Sequence, residues 1–330
     1  MNKRPAGAGP SPSRPRPSLD RLVATLGFHQ SLLADARRNR AFQRALAARV
    51  RPGCRVLDVG AGSGLWAVAA ARLGARRVVA VEKEPLLLPV IERLARENGV
   101  ADRVEVVGAD ARRIRLPRVF DVVVSETVGN EAFDEGIVGL LARARDRFLR
   151  PGGFLVPEWV ALRAAPAAPF DAGRLVPPLL SADTLEALTA HVYRGVLPER
   201  LRTLAPSREL LRVDLRVARP RDPLPVARAS YRVADARGVG GFAVWVEMGL
   251  APGVRLATRE GTTWTPMFLP AGPFPRGPGV LALELDWNPR RRRWRVDSTS
   301  ARGTRREDHR SPLFAWGVLG ASARGRTPSR

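Results

Sequence analysis

The chain is short of several things that would place it in whole classes of protein. It has a single cysteine, Cys54, in 330 residues. That excludes an internal disulfide and any cysteine-rich metal site, and we expect no metal. No segment approaches the ~20 consecutive apolar residues of a spanning helix, so no membrane partner is expected. The first residues, MNKRPAGAGPSPSRPRP, carry charge but no apolar centre and do not read as a secretory signal. These absences together predict a cytoplasmic chain. Lysine is nearly missing as well: Lys3 and Lys83 are the only two, and arginine supplies the remaining basic charge.

What is present is a globular composition, 45% hydrophobic, with a formal net charge of +23. The excess is uneven. Residues 1–18 hold Lys3, Arg4, Arg14 and Arg16 and no acid, and residues 290–330 hold twelve arginines against Asp297, Glu307 and Asp308. Basic tails of this kind bind polyanions weakly and without sequence preference, so any nucleic-acid binding is expected to be of that sort.

Residues 1–18 are expected to form a disordered basic leader and 19–50 a helical stretch ended by Pro52-Gly53. Short apolar runs at 54–59, 77–82, 103–110, 120–126 and 154–157 then alternate with helical patterns at 63–74, 85–98 and 136–149. That alternation predicts a parallel sheet covered on both faces over 19–157. After Pro157 come short strands, among them ASYRVA, FAVWVEM, TTWTPMFL, VLALELDW and RRWRVDS, separated by Gly/Pro turns. They predict an all-β, barrel-like domain over 158–300, with a helical insertion near 170–206 and a basic tail over 301–330. The fold class is therefore α/β followed by all-β.

The segment VLDVGAGSG runs a strand into Gly60, Gly62 and Gly64 and then a helix. Glycines let backbone approach a ligand, and a helix N-terminus offers free N–H groups. A dinucleotide fingerprint is G-x-G-x-x-G, but its third glycine position is Leu65 here. The observed G-x-G-x-G, with Asp58 before it, resembles motif I of the class I S-adenosylmethionine-dependent methyltransferases, whose Rossmann-like sheet is then the expected fold. Glu82, at the end of the second strand, is placed to accept from both ribose hydroxyls. The resemblance extends to Asp110, expected at the adenine, and to Pro151-Gly152-Gly153.

The segment FDVVVSETVGNEAFDEGIVGLLA (120–142) contains Asp121, Glu126, Glu131, Asp134 and Glu135 and no Lys or Arg. Acids just past a strand's C-terminal end suit a cationic ligand. A guanidinium stays protonated and is a poor nucleophile. Two carboxylates can grip it in a fork and draw its charge to one side, leaving the far nitrogen to attack a methyl group.

SETVGNEAFDE (125–135) resembles the double-glutamate loop of the protein arginine N-methyltransferases, with Glu126, Gly129 and Glu135 at the matching positions. HQSLLADARR (29–38) is similar to the family helix in which Arg38 would bind the cofactor's carboxylate, and His29 matches a family histidine. FLVPEWVAL (154–162) resembles the junction into the family's β-barrel. Thr263 stands where the family's threonine-histidine-tryptophan loop has histidine, and Leu19, Asp20 and Val23 stand where its N-terminal aromatics lie. The resemblance implies S-adenosyl-L-methionine as cofactor, held by Arg38, Asp58, Gly60, Gly62, Gly64, Glu82, Asp110 and Glu126. It makes Glu126 and Glu135 the catalytic pair. It also implies an arginine-containing protein or peptide as substrate, and a homodimer. Two other readings stay open: the same chemistry on a small-molecule amine or another protein side chain, and a non-catalytic module that binds RNA through its basic tails.

Overall fold

The computed structural model describes residues 18–129, 132–169, 201–288 and 291–310. Most of the predicted insertion at 170–206, and Glu131, lie outside the described residues.

Two helices lead, α1 (Leu19–Ala34) and α2 (Ala36–Arg49). The sequence reads as one helix there, because Ala, Leu and Arg favour helix on both sides. Asp35 breaks it: its side chain caps α2 by accepting from the Arg38 amide at 2.8 Å. Capping is what aspartate does well and what a helix interior denies it. α1 buries none of its residues, whereas α2 buries Phe42, Ala45 and Leu46 completely.

The first sheet is built from β1 (Arg55–Val59), β2 (Arg77–Glu82), β3 (Val104–Gly108), β4 (Phe120–Val124) and β5 (Leu149–Val156), in the order β3-β2-β1-β4-β5. All four pairings are parallel. The crossovers contain α3 (Leu65–Arg72), α4 (Leu88–Glu97) and α5 (Ile137–Phe148). β1 is buried from Val56 onward, as a strand covered on both faces must be. α5 buries Ile137, Leu140, Leu141, Ala144 and Phe148, which recur at helical spacing and face the sheet. The strand order reverses between β1 and β4. The turn after β1 and the loop after β4 therefore open onto one crevice, where such sheets bind ligands.

The rest is antiparallel. One sheet runs β10-β9-β6-β7, with β11 also on β9; the other runs β14-β13-β12-β8. Their strands are β6 (Trp159–Ala167), β7 (Arg208–Asp214), β8 (Ala227–Val233), β9 (Gly241–Ala251), β10 (Val254–Ala257), β11 (Met267–Pro270), β12 (Gly279–Asn288), β13 (Arg291–Ser300) and β14 (Gly303–Arg310). The two sheets meet through buried Tyr231, whose hydroxyl donates to the Ala164 carbonyl at 2.9 Å and whose ring lies 5.7 Å from that of Phe242.

Two expectations need correction. Residues 303–310 are a strand rather than part of a tail, because their charges meet opposite charges across the pairing with β13: Arg306 bonds Asp297 and Asp308 bonds Arg295. In TTWTPMFL only Met267 onward is strand. Pro266 has no amide to donate, and the indole of Trp264 is engaged elsewhere. Among the described residues, no helix is long and apolar enough to cross a membrane.

Candidate active site

The turn after β1 is built for close approach. Gly60 and Gly62 sit at φ +71° and +57°, where side chains are strained. A Cβ on Gly60 would lie 2.7 Å from Cγ2 of Thr127, and one on Gly62 would lie 2.8 Å from the His29 ring. The turn is thus held between α1 and the loop after β4, and the amides of Gly60 and Ala61 donate to the Val81 carbonyl at 2.9 and 3.0 Å. The Gly62 amide donates to Oε2 of Glu82 at 2.8 Å, and the Glu84 amide donates to Oε1 at 2.8 Å. Asp110, just past β3, accepts from the Arg112 amide at 2.9 Å.

The loop after β4 is tied at several points. Ser125 is fully buried and donates to the Val59 carbonyl at 2.7 Å, joining the ends of β1 and β4. Glu126 receives Nη1 of buried Arg38 at 2.7 Å. Burial pushes the pKa of Glu126 up to about 8, although Arg38 pulls the other way; Glu135 adds to the rise. Burial also raises Glu135, and neighbouring Asp134 raises it further against the charge of Lys83. At Gly129 a Cβ would lie 2.0 Å from Oδ1 of Asp134, so any side chain there would displace that carboxylate.

Two anchors come from the antiparallel half. The Trp264 indole N–H donates to the Val128 carbonyl at 2.6 Å. The Thr263 amide and hydroxyl donate to Oδ2 of Asp35 at 2.6 and 3.0 Å. Asp35 therefore caps α2, where Arg38 sits, and holds the far domain with the same carboxylate. Sequence reading passed over Asp35 and reached Trp264 only through the resemblance to the threonine-histidine-tryptophan loop. The only signal for the first was an Asp three residues before an Arg within a helical run.

These elements enclose a cavity of about 660 Å³. Arg38, Gly60, Gly62, Glu82, Asp110, Glu126 and Glu135 all line it, together with His29, Trp66, Lys83, Arg112, Thr263 and Trp264. Burial lowers the pKa of His29, Glu82 opposing and Arg38 adding to the fall. Asp58 and Gly64 sit behind the wall. Gly64 caps α3 against Ile91, and Asp58 is fully buried with neither carboxylate oxygen hydrogen-bonded. Burial pushes Asp58 up to about 8, with Glu82 adding to the rise. The arrangement offers a Cβ-free backbone turn, a fixed carboxylate at the end of β2, a buried guanidinium, and a pair of carboxylates with raised proton affinity.

Known proteins resemble this chain in three ways. Residues 42–154 match the family model described as ribosomal protein L11 methyltransferase (PrmA). The arginine N(omega)-methyltransferase of Streptomyces achromogenes subsp. streptozoticus is 30% identical over 280 residues, 79% of this chain and 76% of that one. The probable protein arginine N-methyltransferase 6 of Arabidopsis thaliana is 31% identical over 164 residues, 47% of this chain and 38% of its own length. Among solved structures, the Trypanosoma brucei PRMT1 enzyme-prozyme complex with AdoHcy superposes with a TM-score of 0.73 at 18% identity. That match covers 86% of this chain and 98% of that one.

Proposed function

Because the chain belongs to the arginine N-methyltransferase family and is an S-adenosylmethionine-dependent methyltransferase, we propose that it methylates a guanidinium nitrogen of arginine in a protein substrate. The observation that carries this reading is the carboxylate pair Glu126 and Glu135, which line the same cavity and both have raised proton affinity. Glu126 already binds one guanidinium, that of Arg38.

The cavity fits the cofactor. A Cβ on Gly60 or Gly62 would crowd the turn that must face it, and Glu82 is fixed by two amides while still lining the space. When bound, S-adenosylmethionine supplies an electrophilic methyl group on a sulfonium whose leaving group is a neutral thioether. Glu82 would accept from the ribose hydroxyls, Arg38 would face the carboxylate, Asp110 would stand at the adenine end, and the Gly60–Gly62 turn would face the amino-acid moiety. Asp58 and Gly64 support the turn from behind.

Glu126 and Glu135 receive the substrate guanidinium and draw its positive charge toward themselves. The remaining nitrogen keeps its electron density and would be the one to attack the methyl group. Positioning and fixed charge are then the main sources of rate. The proton shed by the methylated nitrogen passes to the carboxylate pair, whose raised proton affinity suits it to that task. Like charges this close repel, and an entering cation relieves the repulsion.

The test is transfer of tritiated methyl from the cofactor to an arginine peptide, by wild type and by Glu135→Gln. We expect loss of transfer in the variant, with the label recovered in methylarginine after hydrolysis. Equal transfer by both proteins would remove Glu135 from the mechanism. The name of the Streptomyces relative specifies arginine without a protein, which favours free arginine as a second reading. Free arginine and peptide assayed side by side separate the two. We also propose that the enzyme works in the cytoplasm as a homodimer, since α1 leaves Leu19, Val23 and Phe28 exposed for a second copy to cover. Light scattering of the purified chain tests the dimer.

A further inference from the structure

α5 starts immediately after the catalytic loop, and one of its faces leads away from the cavity. Gly136, Gly139, Arg143 and Arg147 recur at helical spacing and share that face. At its start stands Arg112, a cavity-lining residue whose Nη2 is 3.4 Å from the Glu135 carbonyl. At Gly139 a Cβ would come within 3.1 Å of the Pro220 carbonyl, so the missing side chain seats the loop after β7 on the helix. Beyond this point the helix and the loop enclose a cleft of about 430 Å³ lined by Arg143 and Arg147 on one side and Arg219 and Arg221 on the other.

Among the described residues, none of these four guanidinium groups has a hydrogen-bond or ion-pair partner. The two acids of the cleft are already engaged. Asp146 binds Arg145 at 2.7 Å, and Asp222 accepts the Arg219 amide at 2.9 Å. The abundance of arginine does not account for this. A neighbouring cleft of about 270 Å³ is lined by Arg118, Arg145, Arg150 and Arg216, and every one of those is used. Arg118 and Arg145 donate to backbone carbonyls, Arg150 pairs with Asp121, and Arg216 pairs with Asp214. Arg143 and Arg147, at i and i+4, are like charges on one face that repel each other. A ligand that supplies negative charge relieves that repulsion.

We propose that this cleft is an exosite for the protein substrate, binding a run of Asp or Glu residues close in sequence to the target arginine. The proposal rests on the reading above that the substrate arginine belongs to a protein. Arg143 and Arg147 lie seven and eleven residues beyond Gly136, roughly 10–17 Å along the helix. An extended peptide advances ~3.3 Å per residue, so it reaches the cleft about three to five residues from the arginine. A nucleic acid is the poorer match. A strand laid along this face would bring phosphates against the carboxylates of the catalytic loop.

The test uses two peptides with one arginine each. They are identical except that three acidic residues, or three serines, stand three to five positions from it. Wild type is expected to show a KM about tenfold lower for the acidic peptide at low salt, with kcat unchanged, and the preference should shrink as salt rises. In Arg143→Gln/Arg147→Gln the preference should fall below about twofold, while the serine peptide is methylated as by wild type. Equal KM values in wild type, or a preference that survives in the variant, would overturn the proposal and leave arginine methylation standing. Should neither peptide be methylated, the protein-substrate reading fails on its own. Fluorescence anisotropy of the labelled acidic peptide then decides the exosite: binding lost in the variant supports it, and no binding by wild type overturns it. Tighter binding of a single-stranded RNA oligonucleotide than of the acidic peptide would overturn it in favour of a nucleic-acid surface.

Discussion

The active-site cavity and the outer face of the sheet β14-β13-β12-β8 handle charge in opposite ways. On the sheet, arginines and acids alternate across neighbouring strands and stay in water. Arg306 meets Asp297 at 2.7 Å, Arg295 meets Asp308 at 2.8 Å, and Arg228 meets Glu284 at 2.8 Å. Each acid has a base opposite it, and the Arg306 guanidinium holds Asp297 below the ordinary carboxylate range. In the cavity the balance is broken. Among the described residues, the buried charged side chains are Asp35, Arg38, Asp58 and Glu82, and all four belong to the site or its wall. Acids outnumber bases there, and burial raises Asp58, Glu126, Asp134 and Glu135 rather than lowering them. Charge on the sheet serves solubility and register; charge in the cavity is held at a cost that a cationic substrate reduces.

The comparison can be broken at the cavity first. Glu135→Gln should lower kcat by about 10²–10³-fold with the melting temperature nearly unchanged, measured by methyl transfer and thermal unfolding. Arg38→Leu removes the buried cation and leaves Glu126 uncompensated. It should cost about 3–5 kcal/mol in denaturant unfolding, and adding Glu126→Gln should recover much of that loss.

A smaller effect, of opposite sign, is expected at Asp58. Its folded-state pKa, about 8, lies above the ordinary carboxylate value. Between those values the folded chain holds a proton that the unfolded chain has lost, so stability falls as pH rises through that window. Asp58→Asn removes the dependence. The variant should match wild type near pH 4 and unfold a few degrees higher above pH 8. The activity profile follows the same groups. Glu126 must be ionised to receive a guanidinium, so kcat/KM should climb with pH along a limb near 8. A profile flat from pH 6 to 9 would contradict the assigned role. The smallest effect belongs to the sheet: Asp297→Asn should move the melting temperature by no more than ~1 °C, because an exposed pair contributes little.

Much of this site was legible in the sequence because its chemistry is local. The glycine turn lies within a few residues of β1, and a basic-free window in an arginine-rich chain marks the acid loop without any structure. The parallel sheet and the all-β second half followed from alternation and from Gly/Pro punctuation, whereas the order of the strands did not. What was not legible is what forms only across long separations. Asp35 looked like one more residue of a helical run, since nothing local says that Thr263 will meet it. Trp264 read as part of a strand, because its partner is the Val128 carbonyl in the other half. GTRREDHR has no apolar alternation, so it read as tail; its strand is held by charges on β13.

The shared carboxylate of Asp35 also sets how much of the chain must be present before the cavity is complete. Its partner Thr263 is 228 residues further along the chain, and the Trp264 to Val128 bond closes over 136. A chain still emerging from the ribosome can complete its parallel sheet and its glycine turn well before either bond exists. Until then the start of α2 and the acid loop lack the anchors that fix Arg38 and the two glutamates relative to one another. The cavity is thus finished by two residues, Thr263 and Trp264, that lie more than a hundred positions beyond the acid loop.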